Sequence, residues 1–93
     1  MDSALDISCA LNGRRIVIGG TYRHFKGNDY VVEGIACDTE TLELNVIYRS
    51  LYGHPQFGTD VLWSRSLEAF ASEVDHEKYP EVTQRYRFEL VQP

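Results

Sequence analysis

From Ile16 to Tyr52 the chain alternates between short runs of β-branched and aromatic residues and clusters of turn formers. That texture predicts strands, because such side chains pack well on a pleated surface. Ile16–Ile18 leads into the Gly19-Gly20 pair, which suits a bend or a bulge. Thr21–Phe25 reads as a strand that stops at the Gly27-Asn28 turn signal. Asp29–Cys37 and Leu42–Tyr52 read as a hairpin, with the polar stretch Asp38-Thr39-Glu40-Thr41 as its loop. Gly53–Asp60 has loop composition, and a brief strand follows at Val61–Ser64. The helical period then takes over. In Ser66–Val74 the residues Leu67, Phe70, Ala71 and Val74 form one apolar stripe, with Ser66 placed to cap it. Tyr79-Pro80 stops any helix, and Arg85–Val91 reads as a closing strand that alternates Tyr86, Phe88 and Leu90 with Arg87 and Glu89.

The hairpin shows no clean one-sided alternation. One face carries Val31, Ile35, Leu44, Val46, Tyr48 and Tyr52, and the other carries Tyr30, Val32, Ala36, Ile47 and Leu51. A sheet with one wet face alternates cleanly, so the pattern predicts a cover on both faces: a curled barrel, a helix or tail packed outside, or a partner subunit. The expected architecture is mainly β, either a small five-stranded barrel or a curled antiparallel sheet, with one short helix in the C-terminal half. Residues 15–93 form the single β-rich domain in this reading. Residues 1–14 are a tail or a short helix, with Ser3 as its cap and Gly13 as its end.

Composition narrows the picture. At 93 residues there is room for one core and no second domain. The net charge of −5 repels phosphate backbones, which disfavours a general nucleic-acid coat. The charge is uneven, however. Residues 13–65 balance six basic side chains against six acidic ones, which leaves room for a local positive patch. Two cysteines, Cys9 and Cys37, make no disulfide framework and no zinc spacing. Met1–Leu11 lacks a basic n-region, and no apolar run approaches the ~20 residues that span a bilayer. The expected compartment is the cytoplasm, with no membrane association.

The run Gly20-Thr21-Tyr22-Arg23-His24-Phe25-Lys26-Gly27-Asn28-Asp29-Tyr30 resembles the opening of a family of small, mostly bacterial domains of unknown function. The resemblance continues through Glu40-Thr41, Tyr48-Arg49-Ser50-Leu51-Tyr52-Gly53, Trp63-Ser64-Arg65, Phe70 and Arg87-Phe88, over residues 15–91. This chain departs from the family pattern at Asp38, in place of a histidine, and at Ser66, in place of a proline. What the resemblance implies is an SH3-like β-barrel; it implies no activity.

The strongest candidate site is the mixture of rings and cations in Tyr22, Arg23, His24, Lys26, Tyr48, Tyr52, Trp63 and Arg65. Guanidinium groups grip carboxylates and phosphates in a two-pronged way, and aromatic faces pack against cations or flat ligands. Alternation separates Tyr22 and His24 from Arg23 and Phe25, so the eight do not all share one face. The competing reading places the rings in the core and ties the cations to Glu33, Glu40 or Glu43. His24 titrates near neutrality when unperturbed, and Arg23 and Lys26 would disfavour its protonated form. It has no evident nucleophile to serve. Cys37 reads as a small buried thiol at a strand end, Glu40 and Glu43 as solvated hairpin charge, and His24, His54 and His76 as too scattered for a metal. The glycines form no phosphate loop.

No catalytic residue, metal or cofactor is assigned. The leading expectation is a non-catalytic binding or interaction module for an anionic small molecule or peptide. The alternatives are a small enzyme or enzyme-accessory domain using His24, and a structural homo-oligomer (in the simplest case a homodimer) joined through the second apolar sheet face.

Overall fold

The computed structural model describes residues 15–93, so the expectation of a tail or helix over residues 1–14 lies outside the described residues. Five strands and one helical turn follow in order: β1 (Thr21–His24), β2 (Asp29–Cys37), β3 (Leu44–Ser50), β4 (Leu62–Ser66), α1 (Leu67–Phe70) and β5 (Phe88–Gln92). They build one antiparallel sheet in the order β4-β3-β2-β1-β5. β4 and β5 stand at its two edges and do not pair with each other. The sheet is open, and closure into a barrel is not observed.

The hairpin forms where the sequence places it. Asp38 shapes its loop by accepting the amides of Glu40 and Thr41 on Oδ1, at 2.9 and 3.0 Å. Leu42, at the end of that loop, has φ of 62° and is 72 % exposed. A branched side chain in this left-handed region carries a steric cost with no packing to offset it. Leu42→Gly is therefore expected to raise stability by about 0.5–1 kcal/mol, the relief of αL strain less glycine's entropy cost. A urea midpoint that falls would show that Leu42 contributes contacts its exposure hides.

The two-faced pattern of β2 has a different cause from the one expected. The β2–β3 register shifts between Val32 and Gly34, where a β-bulge reverses the alternation. Tyr30 and Val32 before the bulge, and Ile35 after it, consequently point to the same side as Val46 and Tyr48. The bulge gathers most of the apolar side chains of the hairpin on one face, while Val31 and Ile47 share the other face with Arg49. The opposite face carries Arg23, Asp29, Glu33 and Arg49, and it is held by ion pairs. Arg23 Nε lies 2.9 Å from Asp29, and Arg49 lies 2.7 Å from Glu33 and 3.2 Å from Asp60.

The core is dominated by rings. Tyr22, Val32, Val46, Tyr48, Leu67, Phe70 and Phe88 are buried together. Phe70 stacks on Phe88 with ring centroids 4.2 Å apart, and Tyr22 and Tyr48 meet Phe70 at 5.4 and 5.3 Å.

The helix is shorter than its apolar stripe predicts. Ser66 caps it as expected, its Oγ accepting the Ala69 amide at 3.2 Å, but the helical turn ends at Phe70. Beyond Ala71 the backbone turns to a non-local partner. Val74 donates to the Arg85 carbonyl at 2.8 Å, Arg87 donates to the Ser72 carbonyl at 2.9 Å, and Glu73 bridges Tyr86. Those bonds replace the next helical turn while leaving Val74 buried. The same bonds occupy Arg85–Arg87, so β5 begins only at Phe88.

Candidate cation-lined cleft

At the end of β1, where the chain turns into β2, a cavity of about 280 Å³ opens between the sheet and the segment that follows α1. His24, Phe25, Lys26, Arg65, Arg87 and Tyr79 are its principal lining, with Val74, Asp75 and Lys78.

His24 closes β1 on the core side of the sheet. Its ring stacks on Phe25 with centroids 4.5 Å apart and meets the edge of Phe88 at 4.9 Å. The Lys26 amide donates to Nδ1 at 3.1 Å, which assigns the ring proton to Nε2. Burial first, and then the charges of Arg65, Arg87 and Lys26, push the imidazole down to about 4. His24 is therefore a neutral N–H donor at ordinary pH.

Each cation is positioned by a different element. Arg65 extends from β4, donates from Nε to the Tyr48 hydroxyl at 3.1 Å, and rests its guanidinium 5.5 Å from the centre of the Phe88 ring. Arg87 stands just before β5 and donates from Nε to Ser72 Oγ at 3.2 Å. Lys26 sits in the β1–β2 turn, which Gly27 makes possible with φ of 108°, and its Nζ lies 5.9 Å from the Phe25 ring and 5.6 Å from the Tyr79 ring. Lys78 and Tyr79 are held by Asp75, whose Oδ1 accepts the Glu77 and Lys78 amides at 3.1 and 3.3 Å and whose carbonyl accepts the Tyr79 amide at 2.9 Å. Among the described residues, none of Lys26, Arg65, Lys78 and Arg87 forms an ion pair with a carboxylate.

Of the eight candidates read from sequence, the cleft brings together His24, Lys26 and Arg65. Tyr22 and Tyr48 lie beneath it in the core, where the Tyr22 hydroxyl accepts the Val17 amide at 2.9 Å and the Tyr48 hydroxyl anchors Arg65. Arg23 lies on the opposite sheet face, bound to Asp29 by two hydrogen bonds, so the cations that act on His24 besides Lys26 are Arg65 and Arg87. Tyr52 shares a 3.0 Å hydroxyl contact with Tyr30 and borders a separate hollow of about 310 Å³ formed by Ser50–Gly53, Thr59 and Asp60. Trp63 packs near His54 and Phe57, at 5.4 and 6.1 Å, and its buried indole N–H has no hydrogen-bond partner among the described residues.

Sequence reasoning missed Arg87, Lys78, Phe25 and Tyr79. Arg87 was legible as part of the Arg87-Phe88 block, but strand alternation assigns it to the polar side, and β5 does not extend that far back. Other chemical candidates separate in space. Cys37 is exposed rather than buried, and the β2 register places it at the opposite end of that strand from the His24 turn. His54 uses Nδ1 to accept the amides of Gln56 and Phe57 within its own loop. Among the described residues, no three His, Cys, Asp or Glu side chains converge to hold a metal ion, and no helix is long and apolar enough to cross a membrane.

A family model described as a protein of unknown function, DUF1653, matches residues 20–90. A crystal structure of a DUF1653 protein from Bordetella bronchiseptica is similar at 30 % identity, covering 88 % of this chain and 92 % of that one with a TM-score of 0.65. No curated protein matches the chain.

Proposed function

The chain belongs to the DUF1653 family, whose description carries no activity, and from that premise we propose that it is a non-catalytic recognition module that captures an anionic ligand in the cleft around His24, Arg65 and Arg87. One observation carries the reading. Lys26, Arg65, Lys78 and Arg87 gather at a single cavity with only the Asp75 carboxylate among them, while Arg23, Arg49 and Arg85 elsewhere are matched to acids. Like charges held close repel one another, and an arriving anion relieves that repulsion. A small molecule or an acidic peptide side chain fits the volume. The overall charge of −5 argues against an extended nucleic acid.

The alternatives draw less support. An imidazole pushed down to about 4 is a weak base near neutral pH, so His24 suits hydrogen-bond donation better than proton abstraction. The homo-oligomer reading relied on a second apolar face, and that face carries ion pairs beside Val31, Ile47 and Leu62.

The test compares two arginines in the same domain. Sulfate and phosphate are titrated into wild type, Arg65→Ala and Arg23→Ala, with amide shifts followed by NMR. Loss of a charge-assisted hydrogen bond costs about 1.5–3 kcal/mol, so Arg65→Ala is expected to weaken binding tenfold or more. Arg23→Ala should bind like wild type. Equal losses in the two variants, or no shifts at residues 24–26, 65 and 87 in wild type, would remove the cleft from consideration. Thermal melts confirm that both variants remain folded.

A further inference from the structure

Resting on the anion-binding reading above, we propose that the group this cleft recognises is a phosphomonoester in its dianionic form, presented on a short stem. Donor number and charge both favour that group over a carboxylate. Arg65 and Arg87 are each fixed through Nε, to Tyr48 and to Ser72, which leaves the terminal nitrogens of both guanidiniums without a hydrogen-bond partner among the described residues. His24 adds its Nε2–H, because Nδ1 is occupied by the Lys26 amide. Lys26 and Lys78 add ammonium groups at the rim.

A carboxylate has two oxygens and one charge, and a single guanidinium fork satisfies it. Two forks, an imidazole N–H and two ammoniums would leave most of those donors and most of the positive charge unanswered. A phosphomonoester offers three terminal oxygens and approaches a charge of about −2 once its second proton leaves near pH 6. That matches the excess of cations over the lone Asp75 carboxylate. The cavity of about 280 Å³ accepts a phosphate and a few further atoms, not an extended ligand. Phe25 and Tyr79, whose rings lie 5.0 Å apart, give the stem an apolar wall.

The experiment titrates the full chain by calorimetry at pH 8 and pH 5 with phenyl phosphate, phenyl sulfate and benzoate. These share a ring but differ in charge and oxygen count. Phenyl phosphate at pH 8 is expected to bind at least tenfold more tightly than either of the others, and to lose at least fivefold at pH 5, where it is a monoanion. Phenyl sulfate, a monoanion throughout, should bind alike at both pH values, which separates ligand ionisation from any titration of the protein. Arg87→Lys keeps the charge but replaces a fork with a point, and it should weaken phenyl phosphate at least fivefold in a protein whose melt is unchanged.

A phosphoserine peptide that binds as tightly as phenyl phosphate supports the proposal with a peptide as the source. Binding of phenyl phosphate alone supports it with a small molecule as the source. If phenyl sulfate or benzoate matches phenyl phosphate at pH 8, the phosphomonoester assignment is overturned while the anion site stands. If none of the three binds, both readings fail.

Discussion

Phe70→Ala is expected to cost about 3–5 kcal/mol, the range for truncating a fully buried aromatic side chain. A domain of this size has about 5–15 kcal/mol in total, so the variant should be partly unfolded at physiological temperature. Phe70 is completely buried and touches three other rings, Phe88 face to face and Tyr22 and Tyr48 edge-on or tilted. It also sits in a helix of four residues, too short to hold itself together through its own hydrogen bonds. The ring fastens that turn to the sheet, and with it the segment that carries Asp75, Lys78 and Tyr79 to the cleft. Urea denaturation of Phe70→Ala beside Phe70→Leu measures the effect. Leucine keeps much of the volume and should recover a large part of the loss. A loss below about 1 kcal/mol for alanine would mean that the neighbouring rings collapse into the space, contrary to the close packing seen here.

Acid is expected to destabilise the domain through His24 in a defined window. Above the ordinary imidazole value near 6.5, the ring is neutral in both the folded and the unfolded chain, and it adds no pH dependence. Between 6.5 and about 4 the unfolded chain takes up a proton that the folded one refuses, so stability falls as pH drops. Below about 4 both forms are protonated and the loss is complete. The ring is only half-buried, so solvent screening reduces the full linkage energy, and about 1.5–2 kcal/mol is the expected share. His24→Asn isolates it, because an asparagine oxygen can still accept the Lys26 amide but does not titrate. Unfolding free energies at pH 7 and pH 4.5 should differ more in wild type than in the variant by roughly that amount. Parallel pH profiles would show that His24 takes up its proton in the folded chain as readily as in the unfolded one. An anion in the cleft would answer the charges of Arg65, Arg87 and Lys26, so the acid loss should also shrink at saturating sulfate, whose charge is constant over this range.

The candidate site was partly legible in the chain, and the division has a physical basis. His24 and Lys26 flank a turn, so local sequence brings them together. Arg65 lies one residue before the Ser66 cap, a position that a strand running into a helix defines locally. Arg87 and Lys78 reach the cleft only because the segment after α1 pairs its backbone with residues 85–87 instead of continuing as a helix. No local propensity announces that exchange. Arg23 is the converse case. His24, Phe25 and Lys26 just after it are cleft residues, but a strand alternates its side chains, and Arg23 takes the far face beside Asp29.

The sequence by itself determined the strand count, the hairpin and its Asp38 loop, the Ser66 cap and the apolar pair Leu67 and Phe70, because each depends on residues within a few positions of one another. Tertiary structure alone decided the rest. The bulge between Val32 and Gly34 turned an apparent two-faced sheet into one core face and one ion-paired face. The unpaired edges β4 and β5 left the sheet open. The partners of each cation were chosen by which strand lies beside which. Coulomb and hydrogen-bond energies act through distances in space, and a sequence lists its charges without saying which of them will meet.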